Sequence, residues 1–176
     1  MQQAEPYDWT ETFWPLRVVL RRKTVARGLW EVDSWSAVRV ESVRDEVHET
    51  QQVEPLPAQE DSQDYCWTGQ GLELFLDERA AYRFNLSAEK PKLFVICTED
   101  EEMGRVMRPY LVSASQDAAA SYMDGGEEDV FAVPMPDAIQ CWIEGFIARH
   151  GEPDLGLRSG KRRRYRGARK QESNHD

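Results

Sequence analysis

The sequence predicts an α+β domain: an antiparallel sheet of about five or six strands, half-barrel-like and closed by C-terminal amphipathic helices. Three observations carry this expectation. Pro91–Thr98 holds a Leu-Phe-Val-Ile-Cys run bounded by a proline and an acidic turn, the pattern of a buried central strand. Ile139, Trp142, Ile143, Phe146 and Ile147 fall at i, i+3, i+4, i+7 and i+8, one apolar stripe along a helix that must lie on a sheet or another helix. Shorter β-branched and alternating stretches precede both, separated by Gly and Pro signals.

Taken in order, residues 1–12 are polar apart from a few aromatics and read as an N-terminal arm. A single domain over 13–154 follows. Phe13–Lys23 reads as the first strand, with Pro15 near its start, where a missing N–H does least harm. Arg27-Gly28 marks a turn. A second strand follows through Trp35–Val43, with Trp35, Ala37 or Val38, Val40 and Val43 facing inward. Residues 44–62 are rich in Glu, Gln, Asp and Pro and poor in aromatics, the composition of a mobile acidic loop. Asp64–Thr68 and Gly71–Asp77 read as two strands joined in a hairpin across Gly69-Gln70-Gly71. In Asp77–Leu86, Ala80, Ala81, Phe84 and the preceding acids suit a short helix or helical turn. After the central strand, Arg105–Ser113 is expected to be the last strand. Ser113 and Gln116 have capping-box spacing for a helix ending at Gly125 or Gly126. Pro136 suits the first turn of the striped helix, and Gly151 with Pro153 stops it. Residues 155–176 are expected to be a disordered basic tail.

The last third also carries a likeness. Tyr122-Met123-Asp124-Gly125-Gly126-Glu127-Glu128, then Val133-Pro134-Met135-Pro136, then Trp142-Ile143 and Phe146-Ile147 through His150, resembles the C-terminal signature of the DUF3305 family. Fainter echoes run upstream in Trp35-Ser36-Ala37-Val38, Leu72-Glu73-Leu74, Tyr82–Leu86 and Pro91–Val95. The resemblance implies a small family of bacterial proteins of unknown function. It further implies a gene neighbourhood, beside molybdenum-dependent formate dehydrogenase and its maturation factors. No catalytic residues come with it.

The net charge of −10 argues against a dedicated nucleic-acid binder, but it conceals an asymmetry. Residues 157–176 hold eight of the 22 basic residues and two of the 32 acidic ones, leaving the first 156 residues at −16 and the tail at +6. Cys66, Cys97 and Cys141 are widely spaced and sit in apolar or strand-like contexts, as small buried thiols in a reducing compartment do. With no signal-peptide pattern at its start and no apolar run of membrane-spanning length, the sequence is expected to be cytoplasmic.

Catalytic chemistry finds little purchase. The three histidines are isolated, and His150 at a helix end is explained by the helix dipole. No Cys or His pair has zinc spacing, and no glycine loop has the context of a phosphate cradle. The expectation is no catalytic, cofactor or metal residues. Two charged stretches remain as candidate partner-binding residues. One is the acidic turn Asp124, Glu127, Glu128 and Asp129; the other is the basic run Lys161, Arg162, Arg163, Arg164, Tyr165 and Arg166. Six tryptophans are dense for this length; most are expected in the core, with one or two exposed on a docking face. Together these features predict a non-enzymatic accessory protein acting on a protein partner. By the resemblance, that partner is a formate dehydrogenase subunit or maturation factor. A regulator binding nucleic acid through the tail, and an enzyme of molybdenum-cofactor maturation, are the rival classes.

Overall fold

A computed structural model describes residues 11–43 and 50–153. Seven strands and three helices follow one another as β1 (Phe13–Arg27), β2 (Trp30–Ser42), β3 (Gln52–Pro55), β4 (Ser62–Glu73), α1 (Arg79–Leu86), β5 (Lys92–Asp100), β6 (Val106–Ser113), α2 (Gln116–Gly125), β7 (Asp129–Pro134) and α3 (Asp137–His150). The sheet order is β2-β1-β4-β6-β5-β7, with β3 paired to β4 off that path. The path curls until β2 and β7, its two ends, approach each other, giving a nearly closed barrel.

The fold is α+β, but the sheet is mixed rather than antiparallel. Leu72 of β4 pairs with Val112 of β6 in parallel. The reason is chain parity. After β4 runs down, α1 stays at the same end, β5 runs up, and the turn at 101–105 sends β6 down again beside β4. The helices are not gathered at the C-terminus either: α1 separates β4 from β5, and α2 carries the chain from β6 back to the start of β7. Strand β7 itself was not expected; Val130-Phe131-Ala132-Val133 pairs antiparallel with β5, so β6 is not the last strand.

The proposed hairpin at Gly69-Gln70-Gly71 is instead the middle of one continuous strand. The β1–β4 register slips between Leu16 and Val18, opposite Gln70 and Trp67, so β4 carries an extra residue there. Gly69 has φ +76°, and a Cβ at this position would run into the backbone of Thr50. It is a bulge glycine, which bends the strand and helps the sheet close. Gly71 leaves room for the Phe13 ring. Within the acidic stretch read as a mobile loop, Gln52–Pro55 pair with Tyr65–Thr68, and Gln51 Nε2 donates to Pro109 O at 2.8 Å. β3 thus fills the space where β4 and β6 splay apart; residues 44–49 of that stretch, the arm at 1–10 and the tail from 154 lie outside the described residues.

A second bulge resolves the ambiguous inward face of β2. The β1–β2 register slips opposite Arg39 and Ala37, leaving Val38 as the extra residue. Trp35 and Ala37 therefore pack on the same side as Val40 despite the change in sequence parity.

One end of the barrel is closed by α3. All five stripe residues, Ile139, Trp142, Ile143, Phe146 and Ile147, are buried. Trp142 lies against Trp14 at the start of β1, and Phe146 meets Tyr82 of α1 edge-on at 6.4 Å between centroids. The short helix α1 is present, but its buried residues are Tyr82 and Asn85; Phe84 points outward. The N-cap of α2 is Ser115, whose hydroxyl accepts from Ala118 N, rather than Ser113; its C-cap is Gly126 at φ +70°.

Arginines of α1 fasten the plug. Arg79 Nη1 donates to His150 O and Gly151 O, both at 2.6 Å, satisfying carbonyls that the end of α3 leaves without helical partners. Arg83 forms a two-bond fork with Glu144 and reaches Glu152. Those hydrogen bonds from Arg83 hold the Glu144 carboxyl below its usual pKa, and Arg21 does the same for Asp64 across β1 and β4. A carboxyl held low in the folded state stabilises above its unfolded pKa, about 4 for these groups, and that stabilisation is lost as pH falls through the folded value. The melting temperature is therefore expected to fall as pH drops from about 5 toward 3. Asp64→Asn combined with Glu144→Gln should start lower and fall less; an unchanged slope in a thermal melt series would remove these two carboxyls as the cause.

Candidate docking site at the open end of the barrel

The inward faces of three strands change chemistry toward the end that α3 does not cover. On β5, Leu93, Val95 and Cys97 belong to the core, and Glu99 is next on the same face. On β7 the series is Val133, Phe131, Asp129; on β2 it is Trp35, Asp33, Glu31. Apolar below and carboxylate above, these series lead up to a cavity of about 640 Å³. Its wall comprises Glu31–Trp35, Glu99, Arg105, Met107, Asp129 and Phe131. Four carboxylates thus face a shared space with a single arginine.

Arg105 sits at the rim in a left-handed conformation, φ +62°, costly for a side chain with a Cβ. The turn holds it there: Arg105 N donates to Asp100 O at 3.0 Å, and Glu102 N donates to Asp100 Oδ1. Its guanidinium lies 3.9 Å from Glu99 and is well exposed.

Beside the cavity, the β1–β2 hairpin outruns the sheet. The last residue of β1 paired to β4 is Lys23, opposite Ser62, so Thr24–Arg27 and Trp30–Asp33 form a two-stranded ribbon. Its loop is Gly28-Leu29, with Gly28 at φ +62° and Leu29 outside the positive-φ region, the pattern of a type II′ turn. The tip is apolar and uncovered: relative exposure is 101% for Leu29, 77% for Trp30 and 47% for Val32. Trp14, Trp67 and Trp142 are buried and Trp35 is half-buried, so Trp30 is the exposed tryptophan among the described residues.

The candidate residues are divided by this geometry. Asp129 lines the cavity as the first residue of β7. Asp124 and Glu127 are solvent-exposed around the α2 C-cap, and Glu128 is half-buried in the same turn. Lys161, Arg162, Arg163, Arg164, Tyr165 and Arg166 lie outside the described residues. Glu31, Asp33, Glu99, Arg105 and the Leu29-Trp30 tip were not singled out from the sequence. The signal was there in the alternation, since Leu93, Val95, Cys97 and Glu99 share one parity, as do Val133, Phe131 and Asp129.

The nucleophiles and histidine near these elements have structural surroundings. Cys97 is fully buried one layer beneath the mouth, and burial, with the nearby Asp129 charge, pushes its thiol up to about 12. Cys66 is half-buried and also raised by burial, while Cys141, expected to be buried, is exposed on α3; all three thiols are free. His150 packs on the Phe146 ring at 4.6 Å, at the covered end. Among the described residues, no group of three or more His, Cys, Asp or Glu is placed to hold a metal ion, and no helix is long and apolar enough to cross a membrane.

Fold and site together define a small, nearly closed barrel domain with an acidic mouth and an apolar hairpin beside it. The chain belongs to DUF3305, a family described as proteins of unknown function, whose model matches residues 15–164. No curated protein and no solved structure matches it.

Proposed function

We propose that this protein is a non-enzymatic accessory factor that works by binding a protein partner at the open end of its barrel. The gene neighbourhood implied by its family makes assembly of a molybdenum-dependent formate dehydrogenase the process in which that binding serves. The observation that supports the reading is the overhanging hairpin, whose Leu29, Trp30 and Val32 are left bare. An apolar tip on a ribbon that reaches past the sheet contributes nothing to the core and costs solubility, whereas a tryptophan there is the residue type that most often anchors an interface.

The test uses the tagged full chain in its own host, with the dehydrogenase genes expressed. Wild type is expected to co-purify a formate dehydrogenase subunit or maturation factor. Trp30→Ala should weaken that capture by about 2 kcal/mol or more, on the order of 30-fold in affinity, with an unchanged melting temperature. Recovery of the same protein at the same yield by the variant, or recovery of no such protein by wild type, would refute the reading.

A further inference from the structure

We propose that the acidic mouth of the barrel is a docking site for this chain's own basic segment, Lys161–Arg166, which competes with the partner for the open end. The inference rests on the reading that the open end receives a protein segment.

Charge is the first argument. Glu31, Asp33, Glu99 and Asp129 face one space, and among the described lining residues Arg105 is the one basic side chain, so the mouth favours an occupant with several positive charges. The last twenty residues of the chain carry eight basic side chains against two acidic ones, and five of the eight fall within Lys161–Arg166.

Backbone chemistry is the second. Among the described residues, β2 pairs only with β1 and β7 only with β5, so each presents an open edge where the cavity lies between them. An extended segment placed along such an edge gains main-chain hydrogen bonds as well as ion pairs.

Reach is the third. The described chain ends at Pro153, close to where Arg79 holds Gly151 O at the covered end. Strand β5, nine residues long, sets the height to be climbed at about 30 Å. From Pro153 an extended chain covers up to about 28 Å by Lys161 and about 45 Å by Arg166. The basic run therefore arrives at the mouth if it follows the outside of the barrel. Tethering supplies an effective concentration in the millimolar range, so a weak contact suffices.

Amide chemical shifts of the full-length chain test this, compared with a variant carrying Lys161→Gln, Arg162→Gln, Arg163→Gln, Arg164→Gln and Arg166→Gln. At about 50 mM salt the amides of Glu31–Trp35, Glu99, Asp129 and Phe131 are expected to differ between the two, with the difference collapsing near 500 mM. It should survive tenfold dilution, and a synthetic peptide of residues 158–169 added to the variant should restore the wild-type positions. Identical spectra at those amides, or small shifts spread evenly over every acidic surface, would overturn the proposal. So would a difference that disappears on dilution, which would place the segment in a second copy. Partner capture is scored separately: Trp30→Ala retaining full capture while the peptide still docks sinks the accessory reading alone, and the converse result sinks only the tail.

Discussion

Replacing Phe146 with alanine is expected to lower the free energy of unfolding by about 3–5 kcal/mol, the range for truncating a buried aromatic side chain. The ring is fully buried in α3, where it meets the rings of Tyr82 of α1 and of His150. Removing it opens a hole in the plug of the barrel, between elements already tied by Arg79 and Arg83, which limits how far the site can collapse. Trp142→Ala should fall in the same range, since its indole lies on Trp14 at 5.2 Å between centroids. Urea denaturation with an unchanged slope and a lower midpoint is the expected signature. Wild-type midpoints for both variants would mean that the stripe is not the floor of the core.

Asn85→Ala is expected to be nearly as costly, about 3 kcal/mol, for a different reason. Asn85 is 6% exposed, and its amide joins two segments: Nδ2 donates to Lys92 O and Ala114 O, and Oδ1 accepts from Lys92 N. Alanine would strand those three backbone groups in a poorly hydrated place, at about 1–3 kcal/mol for a buried group left without a partner. Asn85→Asp keeps the acceptor but loses the donors, and should recover little. The same denaturation series decides it. A loss under about 1 kcal/mol for Asn85→Ala would show that water replaces the amide.

How much of this was legible beforehand depends on how far each element's signal is local. The stripe of α3 could be read because it repeats the helical period over about three turns, and the run of β5 because it is short, rich in β-branched and aromatic residues, and bounded by a proline and an acidic turn. The C-cap of α2 was legible because glycine at positive φ is a local requirement. The missed strand β7 is six residues between two helices, ending on Pro134 with Pro136 close behind, too short for period alone to announce it. Gly69 was misread because a positive-φ glycine serves a bulge as readily as a turn, and only the partner strand distinguishes them. The facing of α1 was likewise not legible: Phe84 outward and Asn85 inward reverse the usual preference, and the Asn85 hydrogen bonds to β5 and to Ala114 just past β6 explain it. The acidic mouth stayed hidden for the same reason. Glu31, Glu99 and Asp129 are separated by dozens of residues in the sequence, and only barrel closure brings them to one wall.

The unzipped seam between β2 and β7 has a consequence for the molecule's behaviour in a crowded solution. Two bare strand edges on a curved sheet are the feature by which domains swap strands or grow into fibres. Here the residues on those edges include Glu31, Asp33 and Asp129, so two copies meeting seam to seam bring like charges together. The same carboxylates that favour a cationic visitor thus serve as gatekeepers against self-polymerisation, leaving the seam open without making it sticky.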